Sequence, residues 1–510
     1  MSLPLLEKTI GLGCALLLLH CSSAWRRGEV AVLHDIRDVM LKDKSSFFYL
    51  DTAAYPRHDR TLPIGVFDSG TGGLTVLDAI VRLDAFDNDD HRLDENGDGR
   101  RDFQSERFIY YGDQANMPYG EYAAENNLSL LTEHIFKDLQ FLLGSRYYST
   151  AQSRSPASDK SPVKAVVIAC NTATAYGKEE IERFLQRADL PIKVIGVIDA
   201  GVTGALDYYA PSADGTIAVM ATPGTVSSNG YPQALQAQMA ALGYRGCIQL
   251  FQQPGFGLAG AIDGAGEFIC PQAVSPRAGY QGPSFSHPQA VIDSVLLHRY
   301  GFDWTGHRML YDGEQSRPRA LQINSIDNYI AYNLFSLLEQ VRKARVRHPL
   351  KVIILGCTHY PFYLNEFKAR LAYYYNYQEG GDYIYRPYMA ETIHLVDPAA
   401  HTAWELYEYL RVEQLFNAGD QSASEFYLSV ANRDNPEVQC DETGNFTWHY
   451  KYGRRAGAIQ EYVKNVPFNQ SSLSVEIYDR LKNTIPATFE LIDRFSKEKL
   501  KMPRIPSADR

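Results

Sequence analysis

The chain has 510 residues, 45% of them hydrophobic, with 60 acidic against 50 basic side chains and a formal net charge of −10. That length exceeds one ordinary core and calls for two or three domains, which the apolar fraction is sufficient to build. The negative charge excludes a general nucleic-acid-binding surface.

Residues 1–24 read as a leader. The apolar run from Ile10 to Leu19 follows Lys8 and ends at His20-Cys21-Ser22-Ser23-Ala24. It is short for a membrane span and shaped like a secretory signal. Cleavage after Ala24 and lipid attachment at Cys21 both fit, whereas Glu7 and Arg26-Arg27 favour an amphipathic extension of a cytoplasmic protein. Export, periplasmic or tethered to a membrane by this segment, is the expectation; a cytoplasmic location is the alternative. Residues 25–62 form a further N-terminal extension, helical and extended.

The first folded domain is expected over 63–198. It opens with a strand and a glycine-rich turn, Ile64 to Leu74, whose backbone amides can approach an anion. An acidic insertion interrupts it at 84–106. There Asp94, Asn96, Asp98 and Asp102 stand in the order of a calcium loop around a glycine turn, so that a structural Ca2+ is expected, although Ser105 takes the twelfth position where such loops carry glutamate. A solvated acidic loop is the plain alternative. Apolar spacing predicts a helix over 126–143, and a Ser/Pro-rich stretch over 149–162 then leads to the run Ala165 to Ala169, a buried parallel strand that delivers Cys170-Asn171-Thr172.

Strand–helix alternation continues through Val194 to Val197, Ile217 to Met220 and Ile248 to Phe251, a doubly wound α/β pattern. A second domain is expected over 199–379. Its insertion at 264–318, rich in Gly, Pro, Ser and aromatics, reads as a lid, a partner surface or a structural wrap. An amphipathic helix over 326–345 feeds a second apolar run, Lys351 to Gly356, which delivers Cys357-Thr358-His359. Residues 380–411 are expected to return and complete the first domain, and 412–510 form an extension of unknown role with helices near 476–500. Many of the 34 tyrosines, such as Tyr373-Tyr374-Tyr375, fall in the extra segments, where structural packing is expected.

Both thiols therefore stand just beyond the carboxyl ends of strands, where open α/β sheets place their ligand crevice, and can approach one small molecule from opposite sides. Two ordinary core cysteines are the alternative. The 7 cysteines make no disulfide framework; Cys14 and Cys21 belong to the leader, while Cys247, Cys270 and Cys440 match no zinc spacing and are expected to be buried filler.

Several motifs then agree in order: Asp68-Ser69-Gly70; Tyr111-Gly112-Asp113 running into Pro118-Tyr119-Gly120; Ala169 to Thr174; Val194 to Val197; Thr222-Pro223-Gly224-Thr225; and Leu355 to Pro361. This ordered set resembles glutamate racemase, of the cofactor-independent aspartate/glutamate racemase superfamily, whose members are a little over half this length. The resemblance implies two pseudo-symmetric doubly wound parallel-sheet domains with the active site in the cleft between them. It implies racemisation of an acidic amino acid without pyridoxal phosphate or a catalytic metal, and D-glutamate supply for peptidoglycan, which sits poorly with export. By resemblance, Cys170 and Cys357 are the two acid/base residues, assisted by Asp68 and His359 respectively. Ser69, Asn171, Thr172 and Thr358 bind the substrate, Tyr119 and Gly120 close over it, and Thr222 and Thr225 lie near its carboxylates. The expected partner is a small-molecule amino acid, with a homodimer left open. One departure is that Asp263 stands where the family carries glutamate, and the cysteine usual before it is missing, which loosens glutamate specificity towards aspartate or another small acid.

The chemistry agrees with that residue set. An amino-acid α-proton is very weakly acidic, so without an electron sink a desolvated thiolate must remove it while a second thiol supplies another from the opposite face. A racemase-derived protein that binds an acidic amino acid without turnover is the competing reading, although binding alone has no need of paired thiols. A redox or metal protein is weaker still, since no Cys-x-x-Cys is present.

Overall fold

The computed structural model describes residues 34–94, 97–468 and 475–501. The leader over 1–24 and the expected calcium ligand Asn96 lie outside them. Among the described residues no helix is long and apolar enough to cross a membrane.

Two separate parallel sheets carry the site. The first runs in the order Val463–Pro467, Glu425–Ala431, Phe108–Gly112, Ile64–Asp68, Ala165–Ile168, Lys193–Gly196, parallel throughout except for the antiparallel outer strand Val463–Pro467. The second runs Met389–Val396, Leu350–Gly356, Gly215–Ala221, Ile248–Pro254, all parallel. Strands covered by helices on both faces must be apolar at every position, and Ile64–Asp68, Ala165–Ile168 and Gly215–Ala221 are buried along their whole length. The sheets repeat one plan. A central strand ends in a polar turn, at Asp68 or at Thr222, and its neighbour ends in a cysteine.

The domain boundaries differ from the sequence expectation. Met389–Val396, assigned with the first domain, pairs with Leu350–Gly356 in the second sheet, while helix Ala399–Glu413 packs against Leu74–Arg82 of the first domain. The first sheet is widened by Glu425–Ala431 and Val463–Pro467, from the extension of unknown role. Helices Val475–Thr484 and Pro486–Lys501 follow; the second packs on Leu74–Arg82, where the Thr488 amide donates to Asp78 Oδ1 at 3.1 Å.

The extra segments are structural. Helix Ile36–Lys42 and the residues after it put Met40, Phe48 and Leu50 into the first core. The 264–318 insertion gives Phe268, Ile292, Tyr300 and Phe302 to the second, which makes it a wrap. Tyr374 is fully buried there. Cys270 and Cys440 are only half-buried and Cys247 is exposed, so the last is not core filler.

Candidate active site

The two cysteines stand just after matching strands, Ala165–Ile168 and Leu350–Gly356, each in a short polar turn. Asp68 ends its strand, and its Oδ2 accepts from the amides of Gly70 and Gly73 at 3.2 and 2.8 Å, shaping the turn into helix Leu74–Arg82. The Tyr110 hydroxyl donates to the Gly70 carbonyl at 2.7 Å and pins the same turn. Asp68 Oδ1 is buried and has no protein partner among the described residues. Burial raises the Asp68 carboxyl above its ordinary range, against the pull of the His359 charge and the turn amides.

Cys170 is the N-cap of helix Asn171–Arg187. Its sulfur accepts from the Ala173 amide at 3.4 Å and lies 3.8 Å from Ser69 Oγ. A helix N-terminus favours a thiolate, but burial, and then the Asp68 charge, push this thiol well above its usual range. The charge of Cys357 is also felt at Cys170, and both are free thiols.

Cys357 has a different helper. Its sulfur lies 3.4 Å from His359 Nδ1, and His359 Nε2 lies 2.6 Å from Asp263 Oδ2, an ion pair whose angle departs from that of a straight hydrogen bond. Burial works against a charged imidazole, but the Asp263 carboxylate and then Cys357 more than offset it and hold His359 well above its usual range. Asp263, which the sequence marks only as a shorter acid than expected, is thus the partner of His359.

The halves meet at Gly72. A Cβ there would lie 2.6 Å from Thr358 Oγ1 and 2.8 Å from the His359 ring. Thr75 Oγ1, one helical turn on, lies 3.3 Å from the Thr358 carbonyl. Thr172, Thr222 and Thr225 form a hydroxyl triangle with edges of 2.7, 3.1 and 3.0 Å, and Gly120 packs against Thr222 so closely that a Cβ would come within 2.7 Å of it. Asn171 accepts from the Tyr231 hydroxyl at 2.7 Å and keeps a buried Nδ2 donor without a protein partner among the described residues. Free donors of this kind beside two thiols suit a carboxylate ligand.

Tyr119 is a correction. Its ring is buried, and its hydroxyl sits 2.6 Å from both Asp113 Oδ2 and Asp138 Oδ2, pointing into a polar cluster of the first domain instead of closing over a ligand. The expected calcium ligands also find other partners. Asp98 accepts from the Asn88 and Arg100 amides, and Asp102 from the Ala85 and Phe86 amides, while the Asp94 carbonyl accepts from the Gly97 amide. Among the described residues no three His, Cys, Asp or Glu side chains converge on one metal position. Sequence reasoning missed Tyr231 and Arg480; the latter, on helix Val475–Thr484, lies 3.6 Å from Asp263 Oδ1.

No protein-family model matches the chain. Among curated relatives, the glutamate racemase of Lactobacillus johnsonii is 31% identical over 174 residues, covering 34% of this chain and 48% of the relative. That of Streptococcus sanguinis is 34% identical over 175 residues, again 34% and 48%. The chain spans about half the length of the curated relatives it matches. Solved glutamate racemases from Bacillus anthracis and Francisella tularensis align with TM-scores of 0.42 and 0.40 at 21% and 19% identity, covering 72% and 78% of this chain and 87% and 95% of theirs. Over about a third of its length, then, this chain is similar in sequence to glutamate racemases.

Proposed function

We propose that the chain racemises an acidic amino acid, glutamate first, by proton transfer between two thiols and the α-carbon. The observation that carries this reading is the pairing of Cys170 and Cys357 at matching strand ends, each with its own polar helper. In one direction a thiolate takes the α-proton, so that the C–H bond breaks, an S–H bond forms and the electron pair stays on the substrate as a carbanion. The second thiol then delivers its proton to the opposite face and is left as thiolate. The reverse direction exchanges the roles.

The two thiols work in different surroundings. Cys357 has an imidazole 3.4 Å from its sulfur, a partner able to pass a proton to or from it. At Cys170 the helix N-terminus and Ser69 must offset burial and Asp68, which favours the protonated form in the free protein. The threonine triangle, Asn171, Ser69 and Thr358 supply donors for the substrate's carboxylates. Names of relatives support glutamate, including a Francisella tularensis structure described as a complex with D-glutamate; Asp263 in place of a longer acid keeps aspartate as the second candidate. The apolar leader supports a location outside the cytoplasm, where remodelling of D-amino acids fits better than precursor synthesis.

The test is incubation of the reduced protein with L- or D-glutamate in heavy water, following optical activity and α-deuteration. Racemisation with deuterium entering the product supports the mechanism. Binding without exchange, for glutamate, aspartate and other small acids alike, refutes it in favour of a binding protein.

A further inference from the structure

The C-terminal extension reaches the site through one side chain. Arg480 is carried by helix Val475–Thr484, and its side chain is 14% exposed. Its Nη1 donates to the Ile262 carbonyl, its Nη2 lies 3.6 Å from Asp263 Oδ1, and its guanidinium sits 4.8 Å from the centre of the Phe362 ring. Asp263 uses the other oxygen, Oδ2, on His359 at 2.6 Å, and His359 reaches the Cys357 sulfur at 3.4 Å. Four groups of alternating charge therefore run from the C-terminal extension to the thiol. Asp263 is almost wholly buried, 1% exposed in its side chain, and is gripped from both ends.

We propose that Arg480 is a positioning residue for the Cys357 half of the site, an inference that rests on the racemase reading above. It is two groups removed from the sulfur and does not touch reacting atoms. Its work is to fix the Asp263 carboxylate in place and share its charge with His359, so that the imidazole stays directed at Cys357 when that sulfur, as thiolate, takes the α-proton. A buried carboxylate with a single cation partner is free to turn, and the loss of one cation leaves its whole charge to the other. The other charged or titratable groups facing this row are Asp68, which feels the His359 charge; Cys170, which feels the Cys357 charge; the Tyr231 and Tyr360 hydroxyls, near Cys357; Tyr110, which feels both Asp68 and Asp263; and Tyr363, beside Arg480.

The experiment is the pH profile of kcat/KM for Arg480→Gln, which keeps a donor for the Ile262 carbonyl but loses the charge. Arg480 and a protonated His359 carry like charges across Asp263, and removing one favours the charged form of the other. The alkaline limb, where His359 loses its proton, should therefore move up by about one pH unit, while kcat/KM on the plateau falls about tenfold because the imidazole is less firmly directed and KM changes little. Arg480→Lys should restore the limb. An unmoved limb with a lower melting temperature would make Arg480 merely structural, and a raised KM with an unmoved limb would make it a substrate anchor; either overturns the proposal. If Arg480→Gln does not fold, the double variant with Asp263→Asn, which leaves no unpaired buried charge, is compared with Asp263→Asn alone. Equal activities support action through Asp263, and a further independent loss refutes it. Carbamidomethylation of Cys357 by iodoacetamide, read by mass spectrometry, needs no racemase activity. In Arg480→Gln the pH at which its rate depends on His359 should move up with the limb while Cys170 is unaffected, and an unmoved profile would sink the proposal even if the chain turns over a different substrate.

Discussion

Replacing Gly72 by alanine tests whether the two cysteine turns are held at working distance by backbone contact. The added methyl would lie 2.6 Å from Thr358 Oγ1, 2.8 Å from His359 Cε1 and 2.9 Å from His359 Nδ1, against the 3.4 Å at which ordinary contact begins. Roughly 0.5–0.8 Å must be found somewhere in a close-packed site. Neither neighbour is a loose end, because His359 is held by Asp263 at 2.6 Å and the Thr358 carbonyl lies 3.3 Å from Thr75 Oγ1. The yielding element is therefore the seam between the two sheets, which sets the separation of the thiols. A misplacement near 1 Å at reacting atoms costs on the order of 100-fold in rate, or about 2.7 kcal/mol of barrier. The assay is kcat/KM for racemisation by circular dichroism in both directions. The enantiomers are equal in energy, so the loss must be the same from either side, which checks the measurement internally. Gly266→Ala, where a Cβ meets nothing within 4 Å, is the control. If folded Gly72→Ala keeps activity within about threefold of the parent, the seam is softer than this argument requires and the reasoning fails.

Replacing Cys170 or Cys357 by serine should remove racemisation while leaving calorimetric binding of glutamate within about threefold; a racemising serine variant would refute the two-thiol mechanism. His359 is held above its usual range in the folded chain, so its pairing contributes fully below the unfolded value near ~6.5 and fades as pH rises through the folded one. Urea unfolding should accordingly show His359→Gln more destabilised, relative to the parent, at pH 6 than at pH 9; the reverse order would refute the pairing. Asp138 faces Asp113 across one tyrosine hydroxyl, and burial, then Asp113, raise its carboxyl well above the usual range. The unfolded chain ionises it first, which costs the fold stability as pH rises above about 4. Asp138→Asn should thus gain on the parent between pH 4 and 8 in the same unfolding assay, and a constant difference across that window would rule out a protonated Asp138.

The readable parts of the sequence were those whose physics is local. A parallel strand buried on both faces must be a short apolar run, and a polar turn directly after it marks the crevice side of the sheet; Val166-Val167-Ile168 before Cys170 and Ile353-Ile354-Leu355 before Cys357 meet both conditions. The unreadable parts depend on distant pairing. Phe426-Tyr427-Leu428 is as apolar as either cysteine strand, but nothing in it names residues 109–112 as its neighbour, more than 300 positions earlier. Arg480 was hidden for the same reason, because a lone arginine on an amphipathic helix carries no mark of the Asp263 it will meet. Tyr119 failed differently. Its motif places it beside the crevice, but its hydroxyl is claimed by Asp113 of the same motif together with Asp138, which helix Leu128–Leu143 brings in from 19 residues on.

The widening of the first sheet by Glu425–Ala431 and Val463–Pro467 bears on the order in which the chain can assemble during synthesis. Domains ordinarily form from the amino end as they leave the ribosome. Here the second sheet draws all its strands from one continuous stretch, 215–396, and has what it needs while the C-terminal segment is still unmade. The first sheet does not, because the edge of Phe108–Gly112 stays open until residues 425–431 arrive. An uncovered apolar edge of that kind recruits other chains. The amino-terminal half must therefore wait, half-built, for the last fifth of the polypeptide, and truncation near residue 415 should yield a sticky, insoluble product instead of a smaller version of the same protein.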